Sequence, residues 1–303
     1  MKRRHFVLRL AAGAALPAWL APLAQAQRKA SATPLGHIDL SLLNAAPRFE
    51  QFMQAASQPG VDDAQRFTLW QQLYDFLPAG DPVQQRAALD AAWPRYPGVA
   101  ERVKAGFGAL KPAPADMLGN IAGALRMEQP LKIRFVAFVG LFDGAVPTQP
   151  AAADGTPLSV FIPLENYDAA VALRVAEALS RIVTANMGIA QSNAHSVAES
   201  VVYGGLTRFA ALAGDDSFTA APKPPVDAAR RDALLRTLRP LLADTAPDTL
   251  ARVSGGDNDA AAAGWWLTRR WVERGLSLAE IARTPPQNMV KVTRATLDAL
   301  LHR

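Results

Sequence analysis

An α+β fold in which helices predominate is the class this sequence predicts, and three observations carry it. Long stretches repeat apolar residues at helical spacing, just two segments read as strands, and those two lie close together near the middle of the chain. Half of the 303 residues are hydrophobic and 19% are charged, which suits a large buried core and excludes a disordered or coiled-coil chain. There is no cysteine, so disulfides, a thiolate nucleophile and Cys-bound metal centres are all excluded.

The chain begins Met1-Lys2-Arg3-Arg4-His5-Phe6-Val7, continues through a small, apolar stretch from Leu10 to Leu23, and reaches the small-x-small site Ala24-Gln25-Ala26. A charged head, a short apolar middle and such a site predict an export signal over residues 1–26, cleaved after Ala26. Pro17 and Pro22 interrupt a segment shorter than the ~20 apolar residues a spanning helix needs. Arg3-Arg4 followed by Phe6 and Val7 resembles the twin-arginine signal, with Arg9 standing late in place of that motif's lysine. The resemblance implies a bacterial periplasmic protein that crosses already folded, with the twin-arginine translocase as its partner during export.

Charge argues against a nucleic-acid partner. Four of the 32 Lys and Arg and none of the 27 Asp and Glu lie in the first 26 residues, so 28 basic groups face 27 acidic ones beyond them. The mature chain is nearly neutral and shows no basic run interleaved with aromatics.

After a small, polar lead-in, Ile38 to Gly106 reads as helices. Phe49, Phe52 and Met53 recur at helical spacing in 46–56, as do Leu69, Trp70, Leu73 and Leu77 in 67–77, and Pro59-Gly60, Pro78 with Gly80, and Pro94 with Pro97-Gly98 punctuate them. Residues 27–129 are thus expected to form a helical N-terminal subdomain, and 130–303 an α+β one. Leu131 to Phe142 is a central strand; after a loop of Gly, Pro, Asp and Ala, Leu158 to Leu164 is a second strand, which Pro163 places at a sheet edge or at its own end. Helices follow over about 167–185 and 196–213, the latter with Ser196-x-x-Glu199 as a capping box, and over 226–243. Trp265, Trp266 and Trp271 share a later helix but cannot share one face, and Ser277-x-x-Glu280 caps a short helix that stops at Pro285-Pro286.

Chemistry-bearing residues are sparse. His37, His195 and His302 remain after cleavage, no two within a helical turn, and no Asp/Glu cluster has metal-ligand spacing. Asp257-Asn258-Asp259 starts like a calcium loop without its later Gly and Glu, and reads as a turn with Asp259 as N-cap; Gly106-x-Gly108 reads as a helix end. His195 and Glu199, one turn apart, are a candidate acid/base pair or a helix cap and its neighbour. Glu177 is either a functional carboxylate or a helix-surface group paired with Arg181 or Arg174.

The order of elements carries a second resemblance: an apolar strand ending in Gly140, an edge strand reading Phe161-Ile-Pro-Leu-Glu165, a helix with Glu177 in its middle, and a second helix containing Gly204-Gly205. In this the chain resembles the predicted zinc-dependent peptidases of the zincin fold with a gluzincin-type pattern. The later segment Gly264 to Ile281 and the pair Tyr74-Asp75 also look like parts of that family. Laid on Val175-Ala176-Glu177-Ala178-Leu179-Ser180, its His-Glu-x-x-His motif puts the catalytic glutamate on Glu177 and the two histidine ligands on Ala176 and Ser180. The third ligand falls on Gly204. All three ligands are missing, so the resemblance implies a degenerate member with no metal and no cofactor. Leu173, Ala176, Glu177, Ser180 and Thr184 form a small or polar helix face, the expected floor of a cleft beneath the edge strand.

The expectation is therefore an exported pseudo-peptidase that binds an unknown periplasmic protein or peptide. Its rivals are a hydrolase with a site rebuilt from Glu177, His195, Glu199 and Tyr203, and a periplasmic α+β protein unrelated to zincins.

Overall fold

A computed structural model describes residues 37–153, 155–189, 196–213, 227–255 and 259–302. The signal over 1–26, the lead-in up to residue 36, His195, Asp257 and Asn258 lie outside the described residues.

The fold is α+β and mostly helical, as expected. Strand β1 (Ile38–Asn44) leads into α1 (Ala46–Ala56), α2 (Asp63–Leu73), α3 (Pro82–Ala92), a 3-10 stretch Trp93–Val99, α4 (Ala100–Ala105) and α5 (Pro114–Leu125). Then come β2 (Leu131–Phe138), β3 (Thr148–Gln149), β4 (Leu158–Pro163), α6 (Ala169–Asn186) and α7 (Val197–Ala213). The chain closes with α8 (Ala228–Leu238), α9 (Pro247–Ser254), α10 (Asp259–Glu273), α11 (Leu278–Ala282) and α12 (Pro286–Leu301). Among the described residues no helix is long and apolar enough to cross a membrane.

The sheet has the order β1-β2-β4-β3, with β1, β2 and β4 parallel and β3 antiparallel to β4. Two expectations are corrected here. Ile38–Asn44 is a strand, not the start of the helical run, since its backbone is completed by β2 in the register Ile38↔Leu131 to Asn44↔Ala137. β4 is internal and not an edge strand: β2 flanks it on one side and β3 caps Ser159 and Val160 on the other, while Pro163 is its last residue, where a missing N–H is harmless. β1 belongs to the common sheet, α5 packs on α6, and one buried cluster runs from Ala45 to Leu300.

The two faces of the sheet are covered differently. Val136, Phe138 and Phe161 meet the N-terminal helices, where Phe76 lies 6.3 Å from Phe161, centroid to centroid. Ile133, Phe135, Ala137, Val160 and Ile162, all fully buried, form the opposite face; α6 contacts β4 and α5 packs in turn on α6. Strand alternation thus places Phe138 and Phe161 on one side and a mainly aliphatic layer, with Phe135 among it, on the other.

Helix ends follow local chemistry. Asp62 and Gln65 form a reciprocal capping box on α2, as do Ser277 and Glu280 on α11. Gly106 ends α4 with a positive φ of 52°, as the helix-end reading requires. Pro285-Pro286 does stop α11, but Pro286 also opens α12 in the first turn, where its ring is pre-set and no N–H is needed.

Candidate functional site

The helix pair α6/α7 carries the residues the sequence singles out, and their surroundings are not those of an open cleft. Ala176 and Ser180 are buried, Ser180 completely, and its Oγ has no hydrogen-bond partner among the described residues. The face carrying Ala176, Ser180 and Thr184 is therefore packed against protein, which corrects the cleft-floor expectation. Its residues are small because neighbouring elements come close, and smallness alone does not distinguish a cleft floor from a tight packing surface.

Glu177 is half-buried and faces Arg208 of α7, with Nε to Oε1 3.7 Å. That corrects the pairing expected with Arg174 or Arg181: Arg174 instead reaches the strand-end loop, donating from Nε to the Gly144 carbonyl at 2.8 Å. Gly204, one turn before Arg208, lies against α10, where a Cβ would stand 3.1 Å from the Ala261 Cα. Gly205 and Gly264 are closer still, and a Cβ on Gly205 would overlap the Gly264 backbone. A side chain at 204 would run into α10. Of the three ligand positions, Ala176 and Gly204 carry no donor atom and Ser180 only a buried hydroxyl; two of them are enclosed and the third points into a helix contact, so the zinc held by members of the resembled family would not fit these residues. Among the described residues no three His, Cys, Asp or Glu groups converge.

Glu199 is the N3 residue of a capping box. Its Oε1 accepts from the Ser196 N–H at 3.2 Å, and its own N–H donates to Ser196 Oγ at 3.4 Å. Burial, and then Glu199, push the neighbouring Tyr203 phenol above its ordinary value, so Tyr203 stays protonated.

A polar cluster that sequence reasoning did not single out sits at the carboxyl ends of β2 and β4. Glu165 is almost fully buried. Its Oε2 accepts from the Gly140 N–H at 2.8 Å and its Oε1 from the Phe142 N–H at 3.2 Å. Burial pushes this carboxyl above the usual carboxylate range, the backbone N–H donors pull it part of the way back, and Asp143 pushes it up again. Tyr74 and Tyr96 come from the N-terminal layer and donate to the carbonyls of Val139 at 2.8 Å and Gly140 at 3.0 Å. Burial holds both phenols protonated. Gly140 leaves room for the carboxylate, since a Cβ there would lie 2.9 Å from Oε1. Phe142 adopts a left-handed φ of 60° with the Arg95 guanidinium 3.8 Å above its ring.

Both Glu165 oxygens are engaged by backbone donors, so this carboxylate clamps the loop after β2 and is not aimed at a substrate. The sequence signal is a carboxylate directly after an apolar strand end, in Phe161-Ile-Pro-Leu-Glu165. Such a group is either a clamp or a site, and only the position of its partners tells which.

On the Phe138/Phe161 side of the sheet a cavity of about 240 Å³ lies over β2 and β4, with Arg134, Val136, Ser159 and Phe161 of the two strands lining it and Leu43, Asp75 and Phe76 around it. Of the three late tryptophans, Trp265 and Trp271 are buried and Trp266 is half-buried beneath Arg231 and Arg269. No family model matches this chain, and no curated protein or solved structure matches it either.

Proposed function

We propose that the protein acts by binding and not by hydrolysis: an exported, periplasmic pseudo-peptidase of zincin-like descent whose partner is a periplasmic protein or peptide. The observation that carries this reading is the Glu177–Arg208 ion pair. A general base in a metallopeptidase needs an unengaged carboxylate beside a metal-bound water. Here the carboxylate is turned to a guanidinium on the second helix, and the flanking positions are Ala176 and Ser180. The rebuilt-hydrolase alternative is weakened by Glu199, whose carboxylate serves its helix cap. The cavity over β2 and β4, where Val136, Phe161, Phe76 and Leu43 stand beside the polar groups of Arg134 and Asp75, has the make-up of a binding site.

Metal analysis of protein purified without chelator, run beside a screen of peptide and ester substrates, tests this reading. The expected result is no stoichiometric metal and no turnover that Glu177→Gln abolishes. One tightly held zinc per chain, or hydrolysis lost in Glu177→Gln, refutes it.

A further inference from the structure

The sheet has two edges, and they are built differently. At the far edge β3 is two residues long and stands between Pro147 and Pro150, so little of it can accept another strand. At the near edge β1 runs for seven residues as Ile-Asp-Leu-Ser-Leu-Leu-Asn, with no proline and no lysine, and with Asp39 as its one charge. Leu42 and Leu43 on this strand are 56% and 47% exposed; with Val83 they are the large hydrophobic side chains left exposed among the described residues. Among the described residues the backbone is equally unguarded. His37 accepts from the Leu131 N–H and the Ala45 N–H donates to Ala137, which turns the odd residues toward β2 and leaves the N–H and C=O groups of Ile38, Leu40, Leu42 and Asn44 facing outward.

We propose that β1 pairs with β1 of a second copy of this chain, antiparallel about a two-fold axis through Ser41, joining two four-stranded sheets into one of eight. The sequence is suited to this self-pairing. In that register all seven residues find a partner: Leu40 lies opposite Leu42, Ile38 opposite Asn44 and Asp39 opposite Leu43, each twice over, and Ser41 lies opposite itself. All four outward residues of each copy then fall in hydrogen-bonded pairs. The two Asp39 side chains are kept four residues apart along the strand, roughly 14 Å, where a register centred on Asp39 would set them face to face. A two-fold contact uses both copies of the edge at once, so the assembly closes at two chains and does not grow into a fibre. The contact is one strand wide, so reversible association is expected and not a permanent dimer. This proposal is independent of the zincin resemblance.

The absence of cysteine provides a direct test. Ser41 is exposed and its backbone polar groups point to β2, so Ser41 and its symmetry mate form a non-hydrogen-bonded pair with Cα atoms about 4.5 Å apart, a spacing that a disulfide spans. Ser41→Cys should cross-link into a covalent dimer under mild oxidation many times faster than Val83→Cys, a control cysteine at an exposed position on α3. Sedimentation of the unmodified protein over rising concentration should show the mass doubling. Leu42→Lys, and separately Leu42→Pro, whose lost N–H faces outward, should hold the protein monomeric with an unchanged circular dichroism spectrum. A monomer at every concentration overturns the proposal, as does Ser41→Cys that cross-links no faster than Val83→Cys. A dimer that survives Leu42→Lys and Leu42→Pro places the interface elsewhere and also overturns it.

Discussion

The N-terminal helical layer and the α7/α10 seam fill their space in opposite ways. In the first, Phe52 sits among Tyr74, Trp93 and Tyr96, with ring centroids 6.2, 5.9 and 6.2 Å away and steep interplanar angles. A second run of rings continues from Phe67 through Trp70, Tyr74 and Phe76 to Phe161 on the sheet. In the seam, by contrast, Gly204 and Gly205 of α7 meet Ala261 and Gly264 of α10 at backbone distance. Large rings interlock by shape and leave voids when trimmed, whereas small residues let two helix backbones touch and have no room to grow. The same buried cluster is therefore fragile to truncation on one side and to enlargement on the other.

Enlarging the seam should have the greatest effect. A Cβ on Gly264 would overlap the Val201 carbonyl, which is backbone and cannot swing away. Gly264→Val is expected to destroy the folded state, and Gly264→Ala to cost about 3 kcal/mol or more, as read by urea denaturation. A loss below about 1 kcal/mol for Gly264→Ala would mean that the helices part easily and the contrast is false. Truncation in the aromatic layer comes next. Phe52→Ala should cost about 3–5 kcal/mol, whereas Ala261→Gly across the molecule should cost only about 1 kcal/mol, largely through helix propensity.

Glu165 extends the comparison to buried charge, because Tyr74 and Tyr96 fix the same loop from the aromatic side. Glu165→Gln sets an amide that also donates against the N–H groups of Gly140 and Phe142, a loss of about 1–3 kcal/mol in mildly acidic solution. The folded-state carboxyl is raised above its unfolded value, so the folded protein holds this proton more tightly. The group's contribution is fully present below the ordinary glutamate value and declines as pH rises through the raised folded value. The stability gap between the wild type and Glu165→Gln should therefore be widest in acid and shrink as pH rises, and a gap that widens with pH would contradict the assignment. The smallest effect belongs to Arg208→Gln. Its pair with Glu177 is about one-quarter exposed on both sides and too long for a hydrogen bond, so denaturation should report a change within about 1 kcal/mol.

The sequence resolves those parts of the fold whose cause is local. Ser196 with Glu199 and Ser277 with Glu280 cap helices as their spacing predicts, Gly106 ends a helix, and Leu131 begins a central strand. What was misread depends on distant partners. Ile38–Asn44 has Leu40 and Leu43 at a spacing that suits a helix, and only β2, some ninety residues on, makes it a strand. Pro163 was legible as either an edge or an end, and β3, two residues long and between prolines, was too short to announce that it covers β4. The same holds at the candidate site. The charge of Glu177 is visible in the sequence, but Arg208 stands on another helix and is farther off in sequence than Arg174 and Arg181. The small residues of α6 and α7 gave the right faces and the wrong neighbours, since Ala176, Ser180 and Gly204 look alike whether they border a cleft or another helix.

The parallel pairing of β1 with β2 sets an order of events during synthesis. β1 leaves the ribosome with its leucines unmatched, and its native neighbour follows only after α1 to α5 have been made. At ordinary elongation rates that delay is roughly 5–20 s, far longer than helices and local loops need to form. The helices between the two strands can organise during this interval, but the sheet cannot, and Leu40, Leu42 and Leu43 remain open to any passing strand. Closure of the sheet is thus a late step, and a chain held back until β2 has docked would reach its destination with that exposure already past on the β2 side.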